Sequence, residues 1–280
     1  MTDAVLRDDV ASLLRWYVDN GLDETIGEVA IDRLAPAPPQ APATAPPATR
    51  SPVAPTPIRT PPQLAPPRAP VPLESPQVVE DARALARRCA TIAELEAAVR
   101  DFEGCALKRT AKNTVFADGV PGSPVMIVGE APGADEDRLG KPFVGVSGQL
   151  MDRMFDAIGM SRERDLYITN ILFWRPPGNR TPTLTEQAMC LAFTRRHIEL
   201  VQPKILVLAG GTAAKAVLDT TEGIMRLRGK WTVLRLDDGS ELPTLPTFHP
   251  AYLLRTPASK RQSWYDLLSL DKKLRELKER

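Results

Sequence analysis

An acid, an amide and an imidazole stand at the ends of three apolar runs that lie far apart in the chain: Glu130 in VMIVGEAPG, Asn170 in YITN and His249 in TFHPAYLLR. Gly129, Pro132 and Gly133 fix a sharp turn around Glu130, which directs backbone amides and a carboxylate beyond the strand. A plain strand-to-loop turn accounts for the glycines but not for an acid placed directly after an apolar strand. The Asn170 amide donates and accepts at once, the complement of a ring edge that carries a donor beside an acceptor. Ordinary turn chemistry is the competing reading. His249 precedes a proline, where its ring can be held rigidly toward a pocket, and a neutral imidazole there can give one hydrogen bond to an oxygen that gains charge as a bond breaks. A structural turn histidine is the alternative. His197, the other histidine, reads as a surface or packing residue inside a helix. Phe143, in ADEDRLGKPFVGVSGQL, is either a loop anchor or an aromatic face on which a planar ligand stacks.

Positive charge is local. The formal net charge is +1, yet RPPGNRTP at 175–182, RLRGKW at 226–231 and RTPASKR at 255–261 are basic loops. Solvated loop charge is one reading of Arg175, Arg180, Arg255 and Lys260. Rigid guanidinium groups around one crevice also suit phosphate contact.

The elements that must position these residues alternate in period. Short apolar strands are expected at 124–133, 167–170, 204–211 and about 242–248. Helical spacing is expected at 77–90, at 92–102 behind a capping box from Thr91 to Glu94, and at 148–159, 185–201, 211–218 and about 260–278. This alternation predicts an α/β fold, a three-layer α/β/α sandwich around a central, mainly parallel four-stranded sheet. Glu130, Asn170, Gly210 and His249 then fall at the C-terminal ends of the strands, where open α/β sheets gather ligand groups.

Composition sets the boundaries. More than half of the 28 prolines lie between Pro36 and Pro76, so 35–77 reads as a solvated Pro/Ala-rich linker. It separates a short helical segment, 1–34, from a catalytic domain at 78–280. No run of 18 apolar residues and no signal-peptide pattern occurs, which predicts a cytoplasmic protein of the cytosol or nucleoid. Three cysteines, Cys89, Cys105 and Cys190, have no close pair, so reduced thiols are expected.

Together GEAPGADEDRLGKPFVGVSGQLMDRM, YITNILFWRPPGNRTP, KILVLAGG, LRGKW and TFHPAYLLRTP, in this order and spacing, resemble the uracil-DNA glycosylase superfamily, most closely its family 4 bacterial and archaeal members. The resemblance covers roughly residues 100–270. It implies a uracil-DNA glycosylase that hydrolyses the N-glycosidic bond of a flipped-out deoxyuridine, leaves an abasic site and so begins base excision repair. By the same resemblance Phe143 stacks on uracil, Asn170 reads its polar edge and His249 supports the departing base at O2. Glu130 is the acidic pocket residue that positions water or stabilises the sugar cation, and Glu136 crowds the uracil C5 edge. The segment 250–255 is similar to a loop inserted into the duplex, with Tyr252, Leu253 and Leu254 as wedge residues. Relatives with a GQDPY-type motif carry a water-positioning aspartate where this chain has Ala131.

Typical family 4 members hold a [4Fe–4S] cluster on four cysteines. Here Cys105 and Cys190 match two of those positions, but Phe102 and Trp174 occupy the others and coordinate no iron. No cluster and no other cofactor is therefore expected. A glycosylase with a broader range (thymine or hypoxanthine), an inactive DNA-binding homologue and a covalently trapping relative are the rivals. The last carries an added basic loop with a histidine, and none occurs here between residues 170 and 196. Expected partners are uracil-containing DNA and, through the N-terminal segment, a repair or replication protein, with the protein itself a monomer away from membranes.

Overall fold

Every residue of VMIVG, Val125–Gly129, is buried, as a strand covered on both faces requires. The computed structural model describes residues 76–279, so the expected N-terminal helix and the linker lie outside the described residues. Within them the strands are β1 (Asp118–Gly119), β2 (Val125–Gly129), β3 (Leu166–Asn170), β4 (Ile205–Ala209), β5 (Thr232–Arg235) and β6 (Glu241–Thr247). They form one sheet in the order β1-β3-β2-β4-β6-β5. The inner four, β3-β2-β4-β6, are parallel and are the four expected strands. The sheet has six strands rather than four because β1 and β5 add antiparallel edges. β1 is only two residues long and β5 is half exposed, so neither carries the apolar run by which a buried strand is read.

Alternate strand residues build two cores. Val125, Ile127, Ile168 and Val207 pack with Met151 and Phe155 of α4 (Val146–Asp156) and with Leu267, Leu270 and Leu274 of α9 (Lys260–Lys278). Met126, Val128, Leu206 and Leu208 face the other layer: α1 (Pro76–Arg88), α2 (Ile92–Asp101), α5 (Leu184–Val201) and α6 (Gly211–Leu218). Three layers follow from this division. α5 starts at a capping box, with the Thr183 hydroxyl accepting from the Glu186 amide at 3.1 Å and the Glu186 carboxylate from the Thr183 amide at 2.8 Å. Its Phe193 is fully buried, a contribution of about 2–3 kcal/mol from burial alone.

Three short helices depart from the expected pattern: α3 (Ala134–Leu139), α7 (Ile224–Leu227) and α8 (Pro250–Arg255). The segment expected as an inserting loop is thus helical. Pro250 occupies its first turn, where the missing N–H costs nothing, and the His249 side chain caps it.

Candidate active site

The parallel register sets Gly129 beside Asn170 at the C-terminal edge of the sheet. Only a glycine fits there: a Cβ would lie 2.4 Å from Asn170 Oδ1 and 2.5 Å from Phe143 Cζ. The Asn170 amide of β3 and the Phe143 ring, from the loop before α4, therefore meet over a backbone with no side chain. Phe143 is buried, yet its φ is 53°, the left-handed region that bulky residues avoid at a cost of about 1–3 kcal/mol. Such a conformation persists only when its surroundings over-determine it.

Phe143, Asn170, His249 and Glu136 line one cavity of about 170 Å³, closed further by Ala131 and Ser147. A cavity of this size admits one heterocycle. Asn170 is 1% exposed, and its Oδ1 has no hydrogen-bond partner among the described residues. A buried acceptor left unsatisfied costs about 1–3 kcal/mol, a cost that a donor on a bound ring would remove.

His249 has a defined protonation state. Its Nδ1 accepts from the Ala251 amide at 3.1 Å, so in the neutral ring the proton sits on Nε2. Burial lowers its pKa to about 4; the charge of Arg255 pushes the same way and Glu136 opposes it. The ring lies 5.5 Å from that of Phe143 with 28° between the planes, and Gly210, at φ 100°, lets it approach: a Cβ there would stand 3.0 Å from the His249 Cβ.

The two acids differ. Glu136 is buried and accepts from the amides of Gly133 at 3.0 Å, Val144 at 3.0 Å and Gly145 at 2.9 Å. It ties the turn after β2 to the Phe143 loop while forming one wall of the cavity. Glu130 is half-buried and opens instead on an adjoining cleft of about 490 Å³, which His249 also lines. Tyr252, Arg180 and Arg255 border this cleft.

The expected DNA-contacting residues divide in the same way. Arg255 and Leu254 are exposed, while Tyr252 packs on Phe248 with ring centroids 4.8 Å apart and the planes tilted by 39°. Leu253 does not reach solvent: it is fully buried with Leu150 and Phe248 and anchors α8 from beneath, which removes it from the wedge. Arg175 is braced by Asn179 at 2.8 Å. The Arg180 guanidinium holds the buried Glu186 through two bonds of 2.9 and 2.6 Å, so it stiffens the RPPGNR loop. Lys260 is exposed and, with Trp264, lines a separate apolar hollow rather than the cleft. Arg228, from the basic 226–231 loop, is committed to Asp266 and lies over the Phe248 ring. His197 is a packing residue, hydrogen-bonded to the Tyr167 hydroxyl at 2.8 Å. Two further residues of the site are not marked by any sequence pattern: Ser147, in the first turn of α4, and Arg162, whose guanidinium bonds the Phe143 carbonyl at 2.7 Å. The cavity-lining Ser147 carries no pattern that separates it from any other helix-start serine.

The four positions that would hold an iron–sulfur cluster do not offer a matching donor set. Cys105 and Cys190 are buried and hydrogen-bonded to each other; that bond and full burial push the Cys190 thiol well up. Phe102 packs edge-on against Phe193 at 5.2 Å, and the buried Trp174 donates its indole N–H to Thr114 at 3.0 Å. Two thiols and two aromatic rings do not fit a four-thiolate cluster. Among the described residues no three Cys, His, Asp or Glu side chains converge on a metal site, and no helix is long and apolar enough to cross a membrane.

The chain that builds this α/β sandwich, with its small cavity at the strand ends, also matches a known family in sequence. Residues 116–268 fit the model of the uracil DNA glycosylase superfamily, and the chain belongs to that superfamily. Within it the similarity is to the type-4 group. The type-4 uracil-DNA glycosylase of Pyrobaculum aerophilum is 36% identical over 178 residues, 62% of this chain and 90% of the relative. That of Thermotoga maritima is 37% identical over 163 residues, 58% of this chain and 82% of the relative. A type-5 uracil-DNA glycosylase of Pyrobaculum aerophilum matches less of both chains, 34% identical over 108 residues, 34% of this chain and 47% of the relative.

Proposed function

We propose that this protein removes uracil from DNA by hydrolysing the N-glycosidic bond of a deoxyuridine swung out of the duplex. The observation that carries the reading is Asn170, whose Oδ1 is buried and unpartnered and which lines one cavity together with Phe143 and a neutral histidine. Uracil's N3–H would satisfy Oδ1, the amide nitrogen would donate to O4, and the ring would stack on Phe143.

As the C1′–N1 bond breaks, its electron pair enters the base and charge grows on O2. The Nε2–H of His249 donates to that oxygen, and a neutral donor preorganised in a desolvated site lowers the barrier without a proton transfer. Water adds to C1′ and releases a proton to solvent, while the departed uracil anion takes up a proton at N1 from solvent, leaving an abasic site and free uracil. Glu130 is placed in the outer cleft to orient that water or to offset positive charge on the sugar. Glu136 closes the cavity wall, and Arg175, Arg255, Tyr252 and Leu254 are the groups offered to the DNA backbone and the opened stack. The reaction turns over hydrolytically, and the chain works without an iron–sulfur cluster, its loops held by Phe102 and Trp174 instead.

The test is strand cleavage by alkali after incubation with oligonucleotides that carry one uracil opposite guanine, opposite adenine or unpaired. Cleavage is expected in the wild type and is expected to fall about 10²–10³-fold in His249→Ala, the usual loss when one such donor is removed. Full activity in both His249→Ala and Asn170→Ala would remove the assigned roles. Equal cleavage of thymine- or hypoxanthine-containing strands would favour the broader base range.

A further inference from the structure

We infer that Arg162 is a positioning residue that holds Phe143 in the backbone conformation that turns its ring into the base cavity. The inference rests on the reading of that cavity as a base pocket. A phenylalanine at φ 53° does not stay there by its own preference. Gly148 permits the arrangement, since a Cβ on it would lie 1.9 Å from the Phe143 carbonyl oxygen. A missing side chain, however, supplies no attraction.

Arg162 supplies it. Its Nη2 donates to the Phe143 carbonyl at 2.7 Å, and Nη1 reaches the Pro142 carbonyl at 3.3 Å. The remaining donors go to carboxylates: Nε and Nη2 to Asp152 at 3.1 and 2.8 Å, and Nη1 to Asp118 at 2.8 Å. All five guanidinium N–H groups are thereby used on two carbonyls and two acids. The side chain is only 13% exposed, so these bonds are little contested by water. Asp152 belongs to α4 and Asp118 to the edge strand β1, so the group that grips the loop is itself fixed to a helix and to the sheet. A lysine ammonium, with three donors at one point, cannot span these four acceptors.

The effect is read as a cycle of Arg162→Lys, Phe143→Leu and the double variant, with single-turnover rates and kcat/KM per folded molecule on a uracil-containing strand. Arg162→Lys is expected to lower kcat/KM about tenfold, or about 1.4 kcal/mol, and Phe143→Leu to lower it at least as far. The double variant should be no worse than Phe143→Leu within about twofold, because no ring is left to position. Losses that multiply would overturn the proposal. If Arg162→Lys does not fold, Asp152→Asn loosens the same guanidinium and takes its place in the cycle. A crystal structure of the variant reads the backbone directly. Phe143 leaving the left-handed region is the expected result, and Phe143 unmoved near φ 53° would overturn the proposal whether or not base is released. A wild type inactive on every uracil strand counts against the pocket's reading, and the variant's backbone then decides the clamp.

Discussion

At His249 the hydrogen bond from the Ala251 amide decides what the ring can do. It makes Nδ1 an acceptor and leaves Nε2–H as the group available to a ligand. Because burial lowers the folded pKa to about 4, below the ordinary 6.5, the folded state disfavours the protonated ring. The cleavage rate is therefore expected to show no histidine limb near pH 6.5 and to fall only toward pH 4. A rate that rises through pH 6.5 on a histidine titration would contradict a neutral donor. His197, pushed to about 3 by burial, carries the same sign, so the two histidines make stability decline as pH falls below 6.5; denaturation midpoints across that window check it. Asn170→Ala is expected to lower kcat/KM about 10²–10³-fold while changing stability little, because it also deletes a buried unsatisfied acceptor. Paired rates and melting curves measure both; a variant that loses stability as steeply as activity would make Asn170 a structural residue. Asn170 and His249 were legible because each polar group follows an apolar strand. Arg162 was not, because it sits among Ser161, Glu163 and Arg164 and its target lies 19 residues back in the chain.

At the scale of elements, the site depends on the parallel pairing of β2 with β3 and on what β2 lacks at its end. Gly129→Ala would drive a methyl into both the Asn170 amide and the Phe143 ring. Such overpacking costs about 1–3 kcal/mol, and the cavity should close; activity is expected to drop more than tenfold while the far-ultraviolet circular dichroism stays that of the wild type. Wild-type activity in Gly129→Ala would mean that the register does not set the pocket. The four parallel strands were readable to within a few residues because a strand buried on both faces is a short apolar run. The edge strands were hidden by their brevity. α8 was hidden by its proline, which reads as a breaker but stands at a first-turn position where helices accept it.

Over the whole molecule, an aromatic chain from Phe102 through Phe193 and Phe173 to Trp174 lies where relatives of this type are expected to hold iron. Protein prepared without oxygen should contain iron well below one atom per chain; stoichiometric iron with broad visible absorption would contradict this. The exposed basic residues near the cleft, Arg255 above all, predict that affinity for DNA falls steeply as salt rises, and a flat dependence would remove that surface. Fold class and the meeting of Phe143, Asn170 and His249 followed from sequence, whereas the burial of Leu253 depends on tertiary packing that no local pattern encodes. One cavity is proposed to take a uracil ring and release it as the free base. That proposal is tested by incubating excess protein with a strand bearing a single uracil and following free uracil by mass spectrometry beside the alkali-labile sites. One uracil released per labile site, with both lost together in Asn170→Ala combined with His249→Ala, is the predicted result; labile sites without free uracil, or release that survives both substitutions, would contradict it.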